Sequence, residues 1–260
     1  MKNRADFFKV ALKPLYQDLL NHSECVLDKQ KYCAFCMQWG ESFLEEKNSG
    51  ILFVGRSVNG WINTELGEVD ELFGDTENIE TNIKPIFNVN DQMEWVVDSW
   101  GSKDRYNTNR SPFWRVIRSV STEYYPDSNS NWYKNVAWSN LYKVAPSAGG
   151  NPDDFICGWQ FYNCCRILQK EIELLSPRVV IFLTGKLWSN SFLWYLNGGK
   201  EPTIKHSLDW GRDYTAELMK IGSFYCLVTE HPQGKPEESH VNAIIELINK
   251  TTDNISSMKT

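Results

Sequence analysis

Short apolar runs alternate with longer amphipathic segments through most of the chain. Four of these runs end at Gly, at a Pro/Gly loop or at His-Pro, a pattern typical of buried parallel strands. The four runs are ILFVG at 51–55, NVAWSNLYKVAP at 135–146, RVVIFLTG at 178–185 and SFYCLVTEHPQG at 223–234. Segments with helical spacing are found between and after them, at 111–125, 155–177, 186–196 and 238–250. This order predicts a three-layer α/β/α sandwich around a central, mostly parallel four-stranded sheet.

The first 47 residues have a different pattern. FFKVALKPLYQDLL at 7–20 and FCMQWGESFLEE at 35–46 place apolar residues at helical spacing and predict two helices. A polar, acidic stretch from Arg56 to Arg110 predicts a long loop with one helix, at QMEWVVDSW. We therefore predict an N-terminal helical segment at 1–47 packed on the core, one α/β domain at 48–252 and a flexible tail at 253–260.

Charge is unevenly distributed along the chain. The net charge is −6, yet residues 103–118 are rich in Lys and Arg while the charged residues within 65–80 are all acidic. Two solvated faces would explain this, and so would a basic face that meets an anionic partner while the acidic face points away. Because the sequence has no signal-like apolar segment and no run of about 18 apolar residues, we expect a soluble, cytoplasmic protein without a membrane partner.

Polar residues and glycines follow the predicted strands. The carboxyl ends of parallel strands meet at one edge of a sheet, so the residues after these strands are expected to form a ligand site. They are Gly55 to Gly60, Ser139 and Asn140 with the loop to Pro152, Gly185 with Lys186, and His231 to Gly234. The sequence has no Cys-His-Asp nucleophile set, no phosphate-binding glycine pattern after the first strand and no His-rich metal cluster. Such a site suits catalysis by positioning and electrostatics.

The same segments resemble the uracil-DNA glycosylase superfamily. ILFVG with its polar loop looks like the first motif of that family, and VTEHPQG resembles its His-Pro motif. VAWSNLYKVAPSAGGNP is similar to the base-reading strand and loop of the thermophilic, type-four branch, and FYNCCRILQKEIELLSPRVVIFLTG to the helix and strand that follow. The matches occur in the family's order between about residues 50 and 250.

The resemblance implies a DNA glycosylase that hydrolyses the N-glycosidic bond of a flipped-out base and leaves an abasic site. His231 matches the residue that stabilises the departing base, and a histidine that only ends a strand is the alternative. Asn140 matches the residue that binds the base edge, and a turn-forming asparagine is the alternative. Phe113 or Trp114 would stack on the base, unless both belong to the core. The other candidate contacts are Gly55 and Arg56 with the base, and Arg105, Arg110, Arg115, Lys143, Gln233, Gly234 and Lys235 with DNA.

The first motif departs from the family. Its members usually have a carboxylate or an asparagine one or two residues after the glycine, where this chain has Arg56 and Ser57. Asn59 or a carboxylate of the long loop would then orient the water, or Ser57 would do so weakly, or activity is lost or altered. We therefore take His231, Asn59 and Ser57 as the candidate catalytic residues. The change also fits a pocket rebuilt for a larger, modified base.

Some cysteines resemble a metal-ligand set. Three ligands of the iron–sulfur cluster of the type-four branch have counterparts here, which are Cys33, Cys36 and Cys165 or Cys164. Val144 stands at the fourth position, so a cluster would need Cys25 or Cys157 as a substitute ligand. We expect instead reduced thiols packed in an N-terminal helical lobe, and we predict no metal and no cofactor.

Three functions remain open on sequence grounds. The leading hypothesis is a monofunctional DNA glycosylase acting on uracil or a modified pyrimidine, in DNA repair or in defence against phage with modified cytosine. The alternative is a catalytically inactive family member that binds nucleic acid or a nucleotide. A small-molecule hydrolase is disfavoured because no strand–turn–helix nucleophile is present. We expect a monomer whose partner is DNA, single-stranded or duplex with an extruded base.

Overall fold

A computed structural model describes residues 2–21, 27–45, 50–62, 65–74, 85–87, 92–104 and 106–256. The chain divides into two compact units, each formed by three segments. The first unit consists of Met1–Met37, Gly55–Asn90 and Ser139–Leu175, and the second of Gln38–Val54, Asp91–Trp138 and Ser176–Thr260. These six segments alternate, so the chain passes from one unit to the other five times. The domain boundaries at 47 and 252 stay a prediction.

The first unit is mainly helical. Its elements are α1 (Lys2–Asn21), β1 (Tyr32–Ala34), α2 (Val69–Leu72), β5 (Val144–Pro146) and α5 (Asp154–Leu175), with a 3-10 turn at Lys29–Lys31. α1 packs along α5 and also contacts α2. Phe8, Leu12, Tyr16 and Leu19 recur on α1 at helical spacing and are all buried. β1 and β5 pair antiparallel as a small sheet of their own.

The second unit contains a mixed sheet with seven described strands in the order β2-β4-β3-β6-β9-β8-β7. The strands are β2 (Gln38–Trp39), β3 (Ile51–Gly55), β4 (Val136–Asn140), β6 (Val179–Leu183), β7 (Ile204–Asp209), β8 (Thr215–Ile221) and β9 (Phe224–Thr229). β3, β6 and β9 are parallel neighbours, and antiparallel β8 and β7 follow at one side. The last residues of β3 and β4 belong to the first unit.

Four helices complete the second unit as far as the structure describes it. They are α3 (Glu94–Asp98), α4 (Pro112–Tyr124), α6 (Lys186–Leu196) and α7 (Glu237–Ser256), with 3-10 segments at Glu41–Leu44, Thr108–Arg110 and Pro126–Asn135. Pro112 is the first residue of α4, where its fixed φ suits a helix start and its missing N–H costs no hydrogen bond. α7 packs against α4 and against β7, β8 and β9. In these described ranges, no helix is long and apolar enough to cross a membrane.

The four predicted strands all form, but the sheet has more strands than predicted. The sequence analysis did not predict β7 or β8. β7 consists of exposed and half-exposed residues and lacks an apolar run. The run at 135–146 forms two strands, β4 and β5, which lie in different sheets. The helices predicted at 7–20, 92–100, 111–125, 155–177, 186–196 and 238–250 are confirmed, with shifted ends.

The helix predicted at 35–46 is wrong. This segment contains β2, which pairs antiparallel with β4, and the 3-10 turn at Glu41–Leu44. Gly40 lies between them and donates its N–H to the carbonyl of Val136 at 2.9 Å. A Cβ at Gly40 would lie 2.2 Å from the carbonyl oxygen of Tyr133, so this close backbone packing requires glycine. The apolar residues follow helical spacing by coincidence, because β2 buries Gln38 and Trp39 while the 3-10 turn buries Phe43.

Candidate functional site

The loop after β3 carries two of the candidate catalytic residues, and both are held by the loop after β5. Asn59 Oδ1 accepts a hydrogen bond from the Gly150 N–H at 2.6 Å, and the Ser57 hydroxyl donates to Asn151 Oδ1 at 3.0 Å. Gly149 has a φ of +97°, and a Cβ there would lie 2.9 Å from Asn59 Oδ1. Glycine at this position therefore allows the second loop to approach Asn59. Since the Ser57 proton is engaged, its lone pairs are directed elsewhere and suit a water donor.

Backbone hydrogen bonds join the ends of β3 and β4. The N–H groups of Leu141 and Tyr142 donate to the carbonyl oxygens of Gly55 and Arg56, at 2.9 and 3.0 Å. Gly55 is buried and Arg56 is half-buried. These bonds bring the first-motif glycine next to Asn140, the last residue of β4, as the sequence predicts.

Asn140 has an unusual environment for an amide. Its side chain is 1% exposed, and its Nδ2 has no hydrogen-bond partner among the described residues. A buried donor without an acceptor costs about 1–3 kcal/mol, and most buried polar groups have partners. The unfilled N–H therefore points to a bound group that presents an acceptor, such as a carbonyl oxygen.

A buried ion pair lies behind Asn140. Lys143 Nζ contacts Glu171 Oε2 at 2.7 Å, Ser139 Oγ at 2.7 Å and the Asn140 carbonyl oxygen at 2.8 Å. The side chains of Lys143 and Glu171 are both 0% exposed. The predicted contact of Lys143 with DNA is therefore wrong, because its ammonium is fully enclosed and its three N–H groups are engaged.

His231 lies two residues beyond β9, in the second unit. It is half-buried, and its Nδ1 accepts a hydrogen bond from the Gln233 N–H at 3.3 Å. An accepting Nδ1 carries no proton, so the neutral ring has its proton on Nε2. His231 can therefore donate from Nε2 without becoming charged.

A column of rings supports the segment around His231. Thr229 Oγ1 and His240 Nε2 are 3.0 Å apart, and the His240 ring stacks on Trp210 with centroids 4.2 Å apart and planes 3° from parallel. Tyr214 packs on Trp210 at 4.9 Å, and Lys235 Nζ lies 5.2 Å from the Tyr214 ring centroid. Both flanks of His231, at Thr229 and Lys235, are thus tied to the turn between β7 and β8. Burial lowers the pKa of His240 to about 3, so this ring is neutral.

The two candidate stacking residues have different environments. Trp114 is 3% exposed and lies in an aromatic cluster, 5.4 Å from Trp95 and 4.9 Å from Trp138 between ring centroids. This residue belongs to the core, which was the alternative interpretation of the sequence. Phe113 packs at the edge of the same cluster and is half-buried. Of the two, Phe113 has the exposed surface that a stacking residue needs.

The family to which the chain belongs follows from a match to a family model. The model of the uracil DNA glycosylase superfamily matches residues 42–240. The chain belongs to the uracil DNA glycosylase superfamily. This membership confirms the predicted α/β three-layer fold class and implies a DNA glycosylase type of function. No curated protein matches the chain, and the resemblance to the type-four branch stays a prediction.

The candidate DNA contacts of this glycosylase-family chain differ in availability. Arg110, Gln233 and Gly234 are exposed, and Arg105 lies outside the described residues. The Arg115 guanidinium binds both carboxylate oxygens of Glu237 and donates from Nη1 to the Asn109 carbonyl at 2.8 Å. Arg115 therefore joins α4 to α7, and this role does not fit the predicted phosphate contact.

The cysteines do not fit the iron–sulfur ligand set that the type-four resemblance suggested. In the part of the chain that the structure describes, no group of three or more His, Cys, Asp or Glu side chains is arranged to hold a metal ion. Burial raises the pKa of Cys33 to about 11 and the pKa values of Cys36 and Cys164 to about 12. Val144 is buried at the fourth position, and Cys25 lies outside the described residues.

Sequence reasoning missed Glu171, and it placed Ser139 and the loop that contains Asn151 at the site without assigning their contacts. Ser139 and Glu171 complete the ion-pair network, and Asn151 holds Ser57. Glu171 was detectable, because it falls at helical spacing between Leu168 and Leu175 on the apolar face of α5. A carboxylate on such a face needs a buried partner. Asn151 carried no such pattern, because loop geometry alone places it.

Proposed function

We propose that the protein is a monofunctional DNA glycosylase that hydrolyses the N-glycosidic bond of a flipped-out uracil or modified pyrimidine and leaves an abasic site. The observation that carries this proposal is the buried amide of Asn140, whose Nδ2 lacks an acceptor among the described residues. A pyrimidine carbonyl oxygen accepts from this N–H, while the amide oxygen accepts from a ring N–H. An amide thus reads two adjacent groups of a base edge.

The reaction assigns separate roles to the other candidate residues. The bond between C1′ and the base nitrogen breaks, and its electron pair leaves with the base. His231 donates from Nε2 to the base oxygen and stabilises this charge, consistent with its accepting Nδ1. A water oxygen bonds to C1′ and releases a proton, which passes through solvent and neutralises the departed base anion, and Ser57 and Asn59 hold this water. Phe113 stacks on the extruded base.

Contacts with the DNA backbone offset the cost of extruding a base, which is a few kcal/mol. Exposed Arg110, the exposed side chain of Gln233 and the backbone N–H of Gly234 are suited to bind phosphates. The substrate is DNA, either single-stranded or duplex with an extruded base. We further propose that the protein acts as a monomer in the cytoplasm.

Two biological roles agree with this chemistry. One is repair of uracil or another deaminated base, and the other is defence against phage whose DNA contains modified cytosine. The second role is supported by the atypical first motif, in which Arg56 and Ser57 replace the usual carboxylate or asparagine. A changed water site next to a long polar loop suits a larger base.

The decisive experiment offers the purified protein a panel of DNAs containing uracil, hypoxanthine, hydroxymethylcytosine or glucosylated hydroxymethylcytosine. Released bases are identified by mass, and abasic sites by alkali cleavage. We expect one free pyrimidine and an alkali-labile site. Asn140→Leu, which keeps the shape but removes the amide, should lower the rate about 100-fold or more.

The matched control is Asn190→Leu, an exposed asparagine on α6 that has no part in the proposed site. Its rate should equal that of the unaltered protein. Intact DNA binding without release of any base would contradict the proposal and favour a catalytically inactive family member. Equal activity of Asn140→Leu and Asn190→Leu would remove Asn140 from base recognition.

A further inference from the structure

The peptide group that follows Asn140 is fixed on both sides. Its carbonyl oxygen accepts from Lys143 Nζ at 2.8 Å, and its N–H, which belongs to Leu141, donates to the Gly55 carbonyl at 2.9 Å. The orientation of this peptide restrains the Cα–Cβ bond of Asn140, because both share the same Cα. Lys143 therefore holds the backbone that carries the amide of Asn140.

Hydrogen bonds fix both the side chain and the backbone of Lys143. Its three N–H groups reach Glu171, Ser139 and the Asn140 carbonyl, and Ser139 also donates to the same Glu171 oxygen at 2.6 Å. Its backbone is fixed too, since its N–H donates to Gln160 Oε1 at 3.1 Å and its carbonyl accepts from Phe35 at 2.8 Å. The ammonium has one available position, and that position lies against Asn140.

Stability does not explain why this pair is charged. Replacing a buried ion pair by apolar side chains of similar volume is often neutral or stabilising, because two charges lose their hydration. This pair is fully buried, and Glu171 Oε1 has no hydrogen-bond partner among the described residues. The arrangement thus leaves one carboxylate oxygen unsatisfied while it satisfies every N–H of Lys143.

We infer that Lys143 and Glu171 are positioning residues for base recognition, which act by orienting the amide of Asn140. Glu171 anchors the ammonium from α5, and Lys143 transmits this position to the Asn140 carbonyl. This inference rests on the proposed function, since it assigns Asn140 to the base edge. Apolar substitution of the pair should therefore preserve the fold and lower the rate of base release.

The test compares the double variant Lys143→Met/Glu171→Met with the unaltered protein. We expect a similar thermal midpoint, a kcat about 10- to 100-fold lower and an unchanged KM, because the amide is misplaced while backbone contacts remain. The control Lys13→Met/Asp70→Leu removes the ion pair between α1 and α2 in the same unit, and its kcat should be unchanged. A kcat of the Lys143/Glu171 variant equal to that of the control would overturn the inference.

A second measurement does not depend on activity. The side-chain amide of Asn140, assigned through its loss in Asn140→Asp, should give one sharp pair of NMR resonances in the unaltered protein. The Lys143→Met/Glu171→Met variant should broaden or multiply this pair, and unchanged resonances would count against positioning. If no base is released from any DNA, this measurement still tests the inference while the proposed function fails. Should the double variant not fold, Ser139→Ala removes one contact of Lys143 and is measured in the same way.

Discussion

Asn140 in the first unit is supported by a buried ion pair, whereas His231 in the second unit is supported by a column of rings. The ion pair fixes the Asn140 backbone through charge-assisted hydrogen bonds of 2.6 to 2.8 Å. The rings fix the flanks of His231 through ring–ring contacts at 4.2 and 4.9 Å, a cation–π contact of Lys235 at 5.2 Å and one hydrogen bond to Thr229. Each unit therefore holds its candidate residue by a different force.

The difference matches the roles that we propose for the two side chains. An amide that reads a base edge needs a defined plane, and short hydrogen bonds are directional. A histidine that stabilises a spreading charge needs a defined place more than a defined plane, and stacked rings supply this with some freedom to slide. Substitutions in the ion pair should therefore lower the rate of base release sharply. Substitutions in the ring column should lower this rate by a smaller amount.

Removing the His231 side chain itself should have the largest effect on the rate of base release. We expect His231→Ala to lower the rate of base release by about 10²–10³-fold, because the departing charge loses its hydrogen-bond donor. The thermal midpoint should stay nearly unchanged, since the ring is only half-buried. Single-turnover kinetics and a melting curve provide both values.

His206→Ala is the matched control for this substitution, because His206 is a half-buried histidine on the edge strand β7. It should leave the rate of base release unchanged. Retained activity in His231→Ala would exclude His231 from the mechanism and reduce the comparison to one supported residue, Asn140.

Removing one ring from the column tests whether the rate of base release falls only gradually when the aromatic support is weakened. Trp210→Leu removes the ring between His240 and Tyr214 and should lower the free energy of unfolding by about 2–3 kcal/mol, as large-to-small core substitutions do. Base release should slow about tenfold, because the flanks of His231 are less restrained. Denaturant unfolding and kinetics check the two values against Trp194→Leu, a half-exposed tryptophan on α6. A rate loss without a stability loss would contradict a supporting role.

Acid should weaken the ring column through His240. Burial holds the pKa of His240 at about 3 in the folded protein, below the ordinary histidine value of about 6.5. The unfolded chain therefore binds the proton first, and stability that is complete above pH 6.5 declines as the pH falls towards 3. Between pH 7 and pH 5 this group should remove about 2 kcal/mol from the free energy of unfolding.

His240→Phe keeps a ring for stacking but cannot take up a proton. Urea unfolding at both pH values should show a smaller acid loss for this variant than for the unaltered protein. The same loss of stability in acid in both proteins would mean that other groups cause the loss. Burial would then not lower the pKa of His240.

The pattern of apolar runs and the order of the motifs predicted much of the fold, because buried strands need apolar side chains. The strands β3, β6 and β9 are apolar runs because their described residues are largely buried in the sheet. β7 escaped prediction because an edge strand exposes most of its residues. FCMQWGESFLEE was misassigned because short buried elements and a helix face share the same apolar content.

The candidate site was harder to predict, since burial decides the role of a charged or aromatic residue. Lys143 and Arg115 look like DNA contacts in the sequence, but one is enclosed with Glu171 and the other is paired with Glu237. Their acidic partners are 28 and 122 residues away along the chain. Such distant pairing leaves no local pattern, whereas the predicted roles of Asn140 and His231 come from the motifs in which they lie.

The five passages of the chain between the two units have a consequence for biosynthesis. The first unit is incomplete until Leu175 has left the ribosome, and the second until α7 has been made. Neither unit is a continuous stretch, so neither can be completed before its last, distant segment has been translated. Pairings between distant segments are formed slowly, because a long loop must close first. Folding of this protein should therefore be delayed until late in translation, and apolar strands such as β3 should depend on protection from aggregation until their partner strands are made.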